Sequence, residues 1–232
     1  MFRYVPGLIL ILAIVGIGVK MTHSGGSPMA VQGHVVFKGT PPAAKVVEVT
    51  QDREVCGRTN SIQRVEVQGD GLKNAVVKLV GVKNATAEPT FPEAVLIQKG
   101  CSYHPHVLLM APGQLTITNS DGILHNVHLY PKVNQPQNKA MPRFLRKIKI
   151  TIDKPDIISV RCDVHGWMSA VIVVAEHPFY ALTDSLGNFR IENVPAGEYT
   201  VEVWHETLGE LSGTVKVQSR REARVELIYS PK

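Results

Sequence analysis

The chain has 232 residues, 44% of them hydrophobic, which is ample for one large or two small packed units and excludes disorder over most of its length. Its net charge of +5 is spread along the sequence, with no dense basic stripe or aromatic interleaving, so nucleic acid is not an expected partner.

The first element in chain order is an apolar run at residues 5–19, preceded by Arg3 and closed by Lys20. It has the positive flank and length of an export signal and is short for a full membrane span. Pro28-Met29-Ala30 gives no clean cleavage site, so an uncleaved membrane anchor is preferred over a removed signal, and both readings stand. Residues 21–29, rich in Gly and Ser, read as a flexible tether. The folded part is therefore expected in the periplasm or on the extracytoplasmic face of the membrane.

Beyond residue 30 no 3.6-residue apolar period is sustained. Short alternating runs rich in Val, Ile and Thr recur between Gly, Pro, Asn and Asp instead. Strands are predicted at 34–38, 75–80, 107–110, 114–119, 126–130, 148–152, 157–161, 170–174, 188–191, 199–204, 213–217 and 224–229. Twelve strands exceed a small sandwich, so the expected fold is all-β, with two Greek-key-type β-sandwich modules.

The C-terminal stretch holds Asp184-Ser-Leu-Gly187-Asn-Phe189 and then Pro195-Ala-Gly197-Glu-Tyr199. This resembles the carboxypeptidase regulatory-like, or transthyretin-like, domain. Gly33-His-Val35, Gly39-Thr-Pro41 and Ala75-Val76-Val77, far upstream, resemble the opening strands of that family. The resemblance implies a domain insertion: residues 30–88 and 177–232 build one sandwich, and 89–176 form a second module inside it. A single larger sandwich with an N-terminal extension is the alternative.

Chemistry concentrates in Cys162-Asp-Val-His165-Gly-Trp-Met168, where a thiol, an imidazole and a thioether fall three residues apart in a Gly-containing turn. Ile158, Val160 and Cys162 share one strand face, which points the thiol into the core. Soft sulfur ligands with imidazole suit copper, and two His, a Cys and a long axial Met make the trigonal electron-transfer arrangement. A second His is needed from a neighbouring strand. In Leu124-His125-Asn126-Val127-His128-Leu129, alternation puts His125 on the apolar face with Val127 and Leu129, and turns His128 away with Asn126 and Tyr130. His125 is the expected ligand. Zinc is a weaker reading because Met is a poor zinc ligand, and Cys-His catalysis lacks a third orienting residue, so no enzyme is expected.

His125-Asn-Val-His128 followed by Cys162-x-x-His165-x-x-Met168, with Pro112-Gly113-Gln-Leu115-Thr-Ile117-Thr-Asn119 as lead-in, resembles the cupredoxins and within them the amicyanins. That resemblance implies one type 1 copper ion held by His125, Cys162, His165 and Met168, with His128 outside the ligand set. It also suggests Asn126 as the link between the two ligand loops. The turn departs from the amicyanin pattern in having Asp163 and Trp167. Asp163 is expected to stabilise Cu(II), and Trp167 to shield the site.

Three cysteines in an exported chain leave one unpaired. The reading pairs Cys56 with Cys101 as a disulfide and keeps Cys162 for metal; three separate buried thiols are the alternative. His104 and His106, and His205 with Glu206, are read as surface or packing groups, an outer metal or docking site being the other possibility. The basic stretch at 143–149 is read as a solvated connection, with steering of an acidic redox partner as the alternative. The expected function is a carrier of single electrons between redox proteins such as a cytochrome or a dehydrogenase. Copper storage, sensing or delivery is the competing one.

Overall fold

The structure, a computed structural model, describes residues 29–82, 88–218 and 221–230, together with Met1. The apolar run at 5–19 lies outside the described residues, and among those described no helix is long and apolar enough to cross a membrane.

The fold is all-β. Every strand expected from alternation is present, and one helical turn, Arg53–Cys56, is the only helix among the described residues. Alternation did not mark Lys45–Glu48 and Thr59–Ile62, which pair with each other and are largely exposed, nor Gln137–Met141. It also missed Val95–Lys99, where the polar Gln98 sits at an inward, fully buried position with its Nε2 2.9 Å from the Met141 sulfur. A period-2 pattern reports burial of apolar side chains, so exposed strands and inward polar residues escape it.

Two large cores form. One gathers residues from 31 to 79 and from 179 to 229, among them Val35, Phe37, Val77, Leu79, Phe189, Val201 and Val203. Its first strand, Val31–Phe37, pairs antiparallel with Asn188–Ile191 and parallel with Ala223–Tyr229. The other sheet runs Tyr180–Leu182, Val76–Val80, Gly197–His205, Gly209–Val217. The Asp184-to-Gly187 run is a tight turn. Asp184 Oδ1 accepts from the amides of Leu186 and Asn188, both at 2.9 Å, and Gly187 takes φ 78°. A Cβ on Gly187 would stand 2.5 Å from the Val35 carbonyl oxygen, so this position needs glycine.

The second core takes Leu96, Leu115, Ile117, Val127, Leu129, Ile158, Val160 and Ile172 between two sheets. One runs Lys147–Ile152, Gly113–Asn119, Val95–Lys99, Ser102–His104. The other, which carries the site, runs Gln137–Met141, His125–Tyr130, Asp156–Arg161, Ser169–Val174, Val107–Met110. Val76, Val107, Val171 and Val173, with Trp204 and Tyr180 against them, form a small apolar cluster shared by strands of both units. One segment crosses over: residues 45–62 follow a strand of the first core, yet Val49 and Cys56 are buried in the second.

Candidate metal centre

The strand Asp156–Arg161 turns Ile158 and Val160 inward, and Cys162, the next residue on that face, is 2% exposed at its end. The chain then closes on itself. The His165 amide donates to Cys162 Sγ (3.4 Å), the Met168 amide to the His165 carbonyl (2.8 Å), and the Cys162 amide to the Met168 carbonyl (3.3 Å). Cys162, His165 and Met168 are thereby held on one small loop, each of them buried.

The adjacent strand supplies His125, 0% exposed, while His128 three residues on is half-buried on the opposite face. His128 stacks on Tyr130 at 4.1 Å between ring centroids and sits 3.1 Å from the Asp163 carboxylate, apart from the cluster. His125 Nδ1 lies 3.0 Å from His165 Nδ1, and His165 Nδ1 lies 3.8 Å from Cys162 Sγ. The ligand atoms of His125, Cys162 and His165 all fall within 4.8 Å of one another. Metal bonds of roughly 2.0 Å to nitrogen and 2.3 Å to sulfur suit such separations. Two imidazole nitrogens and a thiol facing one another, all buried, are a donor set for a soft or borderline cation, so these residues fit a metal ion.

Neighbouring groups hold the ligands still. Tyr103 donates its buried hydroxyl to the carbonyls of Asn126 and, at 3.1 Å, Arg161, the residues next to His125 and Cys162, so it clamps the two ligand strands together. Burial pushes the Tyr103 pKa well above the usual phenol range, so the hydroxyl keeps its proton. Asn126 Oδ1 accepts from the Asp163 amide at 2.6 Å, and its Nδ2 donates to Asn138 and to the Asp163 carboxylate. The loops carrying His125 and Cys162 are thus tied by one side chain. Asp163 turns its carboxylate outward to His128, Asn138 and Asn126, and these hydrogen bonds, His128 first, hold its pKa below the usual range. Trp167 packs 5.2 Å from the His165 ring and donates Nε1–H to the Cys101 carbonyl at 3.1 Å.

Two features near the site have no signal in the local sequence pattern: Asp121 accepts from His125 Nε2 at 2.9 Å, and Asp52 accepts from His165 Nε2 at 3.0 Å. Cys56 and Cys101 form the disulfide expected from the cysteine count, with both sulfurs within 4.8 Å of a His165 ring nitrogen. Burial opposes charge on Asp121, but the Cys101 amide, His125 and the Gly100 amide outweigh it and hold the carboxyl below its usual range. Burial lowers the His125 pKa against the opposing pull of Asp121. His104 is exposed, whereas His106 is tied to the Ser169 carbonyl and to Glu206, which also meets Arg64 at 3.1 Å. His205 is buried beside that pair.

No family model and no curated protein matches the chain. Among solved structures it is similar to a copper-containing nitrite reductase from Thermus scotoductus SA-01, at 21% identity and TM-score 0.31, over 42% of this chain and 27% of that one. It is also similar to a purple cupredoxin from Nitrosopumilus maritimus, at 17% identity and TM-score 0.31, over 36% of this chain and all of that one. A Cu(I) form of an amicyanin variant matches at 18% identity and TM-score 0.32, over 43% of this chain and 98% of that one. Each likeness spans less than half of the present chain, and the chain covers about a quarter of the reductase's length.

Proposed function

We propose that this chain is an exported copper protein that carries single electrons between redox partners and is not itself an enzyme. Its metal ligands are His125, Cys162, His165 and Met168, in a module of residues 89–176 inserted into a sandwich formed by 30–88 and 177–232. The observation that carries the reading is the convergence of two buried imidazole Nδ1 atoms 3.0 Å apart with the buried Cys162 thiol in the same pocket. Copper bound there would supply one-electron chemistry by moving between Cu(II) and Cu(I).

The residues of the chain do the rest. The loop hydrogen bonds of Cys162, His165 and Met168, the Tyr103 clamp and the Asn126 tie leave the ligands little freedom to rearrange, which suits a centre that must serve both oxidation states. The surrounding core of Val127, Val160 and Met141 excludes water. Export through the N-terminal segment is supported by the Cys56–Cys101 disulfide, which belongs to an oxidising compartment, and the same apolar segment is proposed to hold the protein at the membrane. The partner is proposed to be a redox protein such as a cytochrome or a dehydrogenase.

Titrating the metal-free protein with Cu(II) tests the reading. One equivalent should bind with an intense visible thiolate-to-copper band and give reversible one-electron voltammetry. Cys162→Ser should lose the band. A wild-type protein that takes up no copper, or binds it without that band, would remove the proposal.

A further inference from the structure

Both imidazoles of the centre turn Nδ1 toward each other and Nε2 toward a carboxylate, Asp121 at 2.9 Å and Asp52 at 3.0 Å. The two carboxylates come from different parts of the chain. Asp121 stands four residues before His125 and is held by the amides of Gly100 (2.6 Å) and Cys101 (2.9 Å). Asp52 stands 113 residues before His165, on the segment that leaves the first sandwich to pack on the second core.

That segment is built as a strap. Val49 is fully buried in the second core, Gln51 donates its amide to the Val164 carbonyl, and Arg53 Nε donates to the Val49 carbonyl at 2.6 Å. Asp52 takes the left-handed conformation, φ 55°, and its carbonyl accepts from the amides of Val55 and Cys56. Asp tolerates this region better than most residues. Cys56 then bonds to Cys101, whose amide holds Asp121, so one disulfide joins the supports of both carboxylates. The Asp52 side chain remains 37% exposed while the His165 ring is fully buried, which places Asp52 at the solvent edge of that imidazole.

We propose that Asp52 is a positioning residue for the metal centre. Its carboxylate keeps the His165 proton on Nε2, turns the Nδ1 lone pair onto the ion, and caps the ring edge that the strap covers. The proposal rests on the copper reading above. It makes the site a product of both sandwiches, since the inserted module alone lacks this carboxylate. A carboxylate on the far nitrogen raises the basicity of a ligating imidazole, which favours Cu(II) over Cu(I).

Three variants of the full chain test this. In the metal-free wild type the His165 Nε2–H should give a slowly exchanging proton resonance by NMR, and Asp52→Ala should lose it. Asp52→Asn keeps an acceptor and removes the charge. It should weaken Cu(II) binding by about 10–100-fold and Cu(I) binding less, raising the midpoint potential by about 59 mV for each tenfold difference between the two. Glu54→Gln, exposed on the same helical turn, should change none of these. If Asp52→Ala leaves the Nε2–H signal in place, or Asp52→Asn lowers only the melting temperature while affinity, visible spectrum and potential stay put, the role of Asp52 is refuted and the copper site stands. If the wild type shows the Nε2–H signal but binds no copper, the metal reading falls and takes this inference with it.

Discussion

Removing the Cys56–Cys101 bridge perturbs the strap without touching a proposed ligand. The two cysteines are 45 residues apart, and the chain-entropy relation for a closed loop of that size gives about 4 kcal/mol of stabilisation at 25 °C, most of it through restriction of the unfolded chain. Cys101 is fully buried and Cys56 nearly so, and replacing both by Ala removes little volume, so the entropy term should dominate. The chain has two tryptophans. In a Trp204→Phe background, fluorescence reports on Trp167, whose indole donates to the Cys101 carbonyl at 3.1 Å. With a urea slope of about 2 kcal/mol/M, the metal-free Cys56→Ala/Cys101→Ala protein should unfold at a urea concentration lower by about 2 M. A loss under about 1 kcal/mol at unchanged slope would refute the reasoning, because the loop would then be ordered without the cross-link.

Stability should also fall in acid through His205. Burial depresses its pKa from 6.5 to about 4, Nε2 has no hydrogen-bond partner among the described residues, and Glu206 and His106 lie nearby with opposite effects. The unfolded chain takes up this proton from about pH 6.5 downward while the folded one resists it. The stability present above pH 6.5 is therefore lost progressively toward pH 4, by about 3 kcal/mol at 1.36 kcal/mol per pH unit. Melting temperatures across that window should decline less steeply in a His205→Gln variant. Asn126→Ala should cost about 1–3 kcal/mol by leaving the Asp163 amide without its acceptor, and in copper-loaded protein it should broaden or shift the visible band. Gly71→Ala would put a Cβ 2.0 Å from the Leu186 carbonyl oxygen, a backbone clash, and should destabilise by 1–3 kcal/mol or more in the same urea assay.

Much of this molecule is legible in its residues because the relevant physics is local. Period-2 alternation in His125 to Tyr130 separates the buried His125 from the outward His128, and the three-residue spacing of Cys162, His165 and Met168 is what one small hydrogen-bonded loop can hold. The all-β character follows from the same alternation, repeated through twelve strands. Asp163 shows where adjacency misleads: it follows Cys162 in the chain, but alternation and the Asn126 tie send its carboxylate to the outer face, toward His128.

The tertiary structure alone decided which carboxylates serve the imidazoles. Asp52 sits in an exposed, weakly patterned segment between two short strands, and nothing in its neighbours announces a partner 113 residues away. Its placement depends on the path of the strap, on Val49 buried in the second core and on a bond between Cys56 and Cys101. Side-chain direction along a strand is set by neighbouring residues. Which loop covers a pocket is set by long-range packing, and that becomes visible only once both cores are assembled.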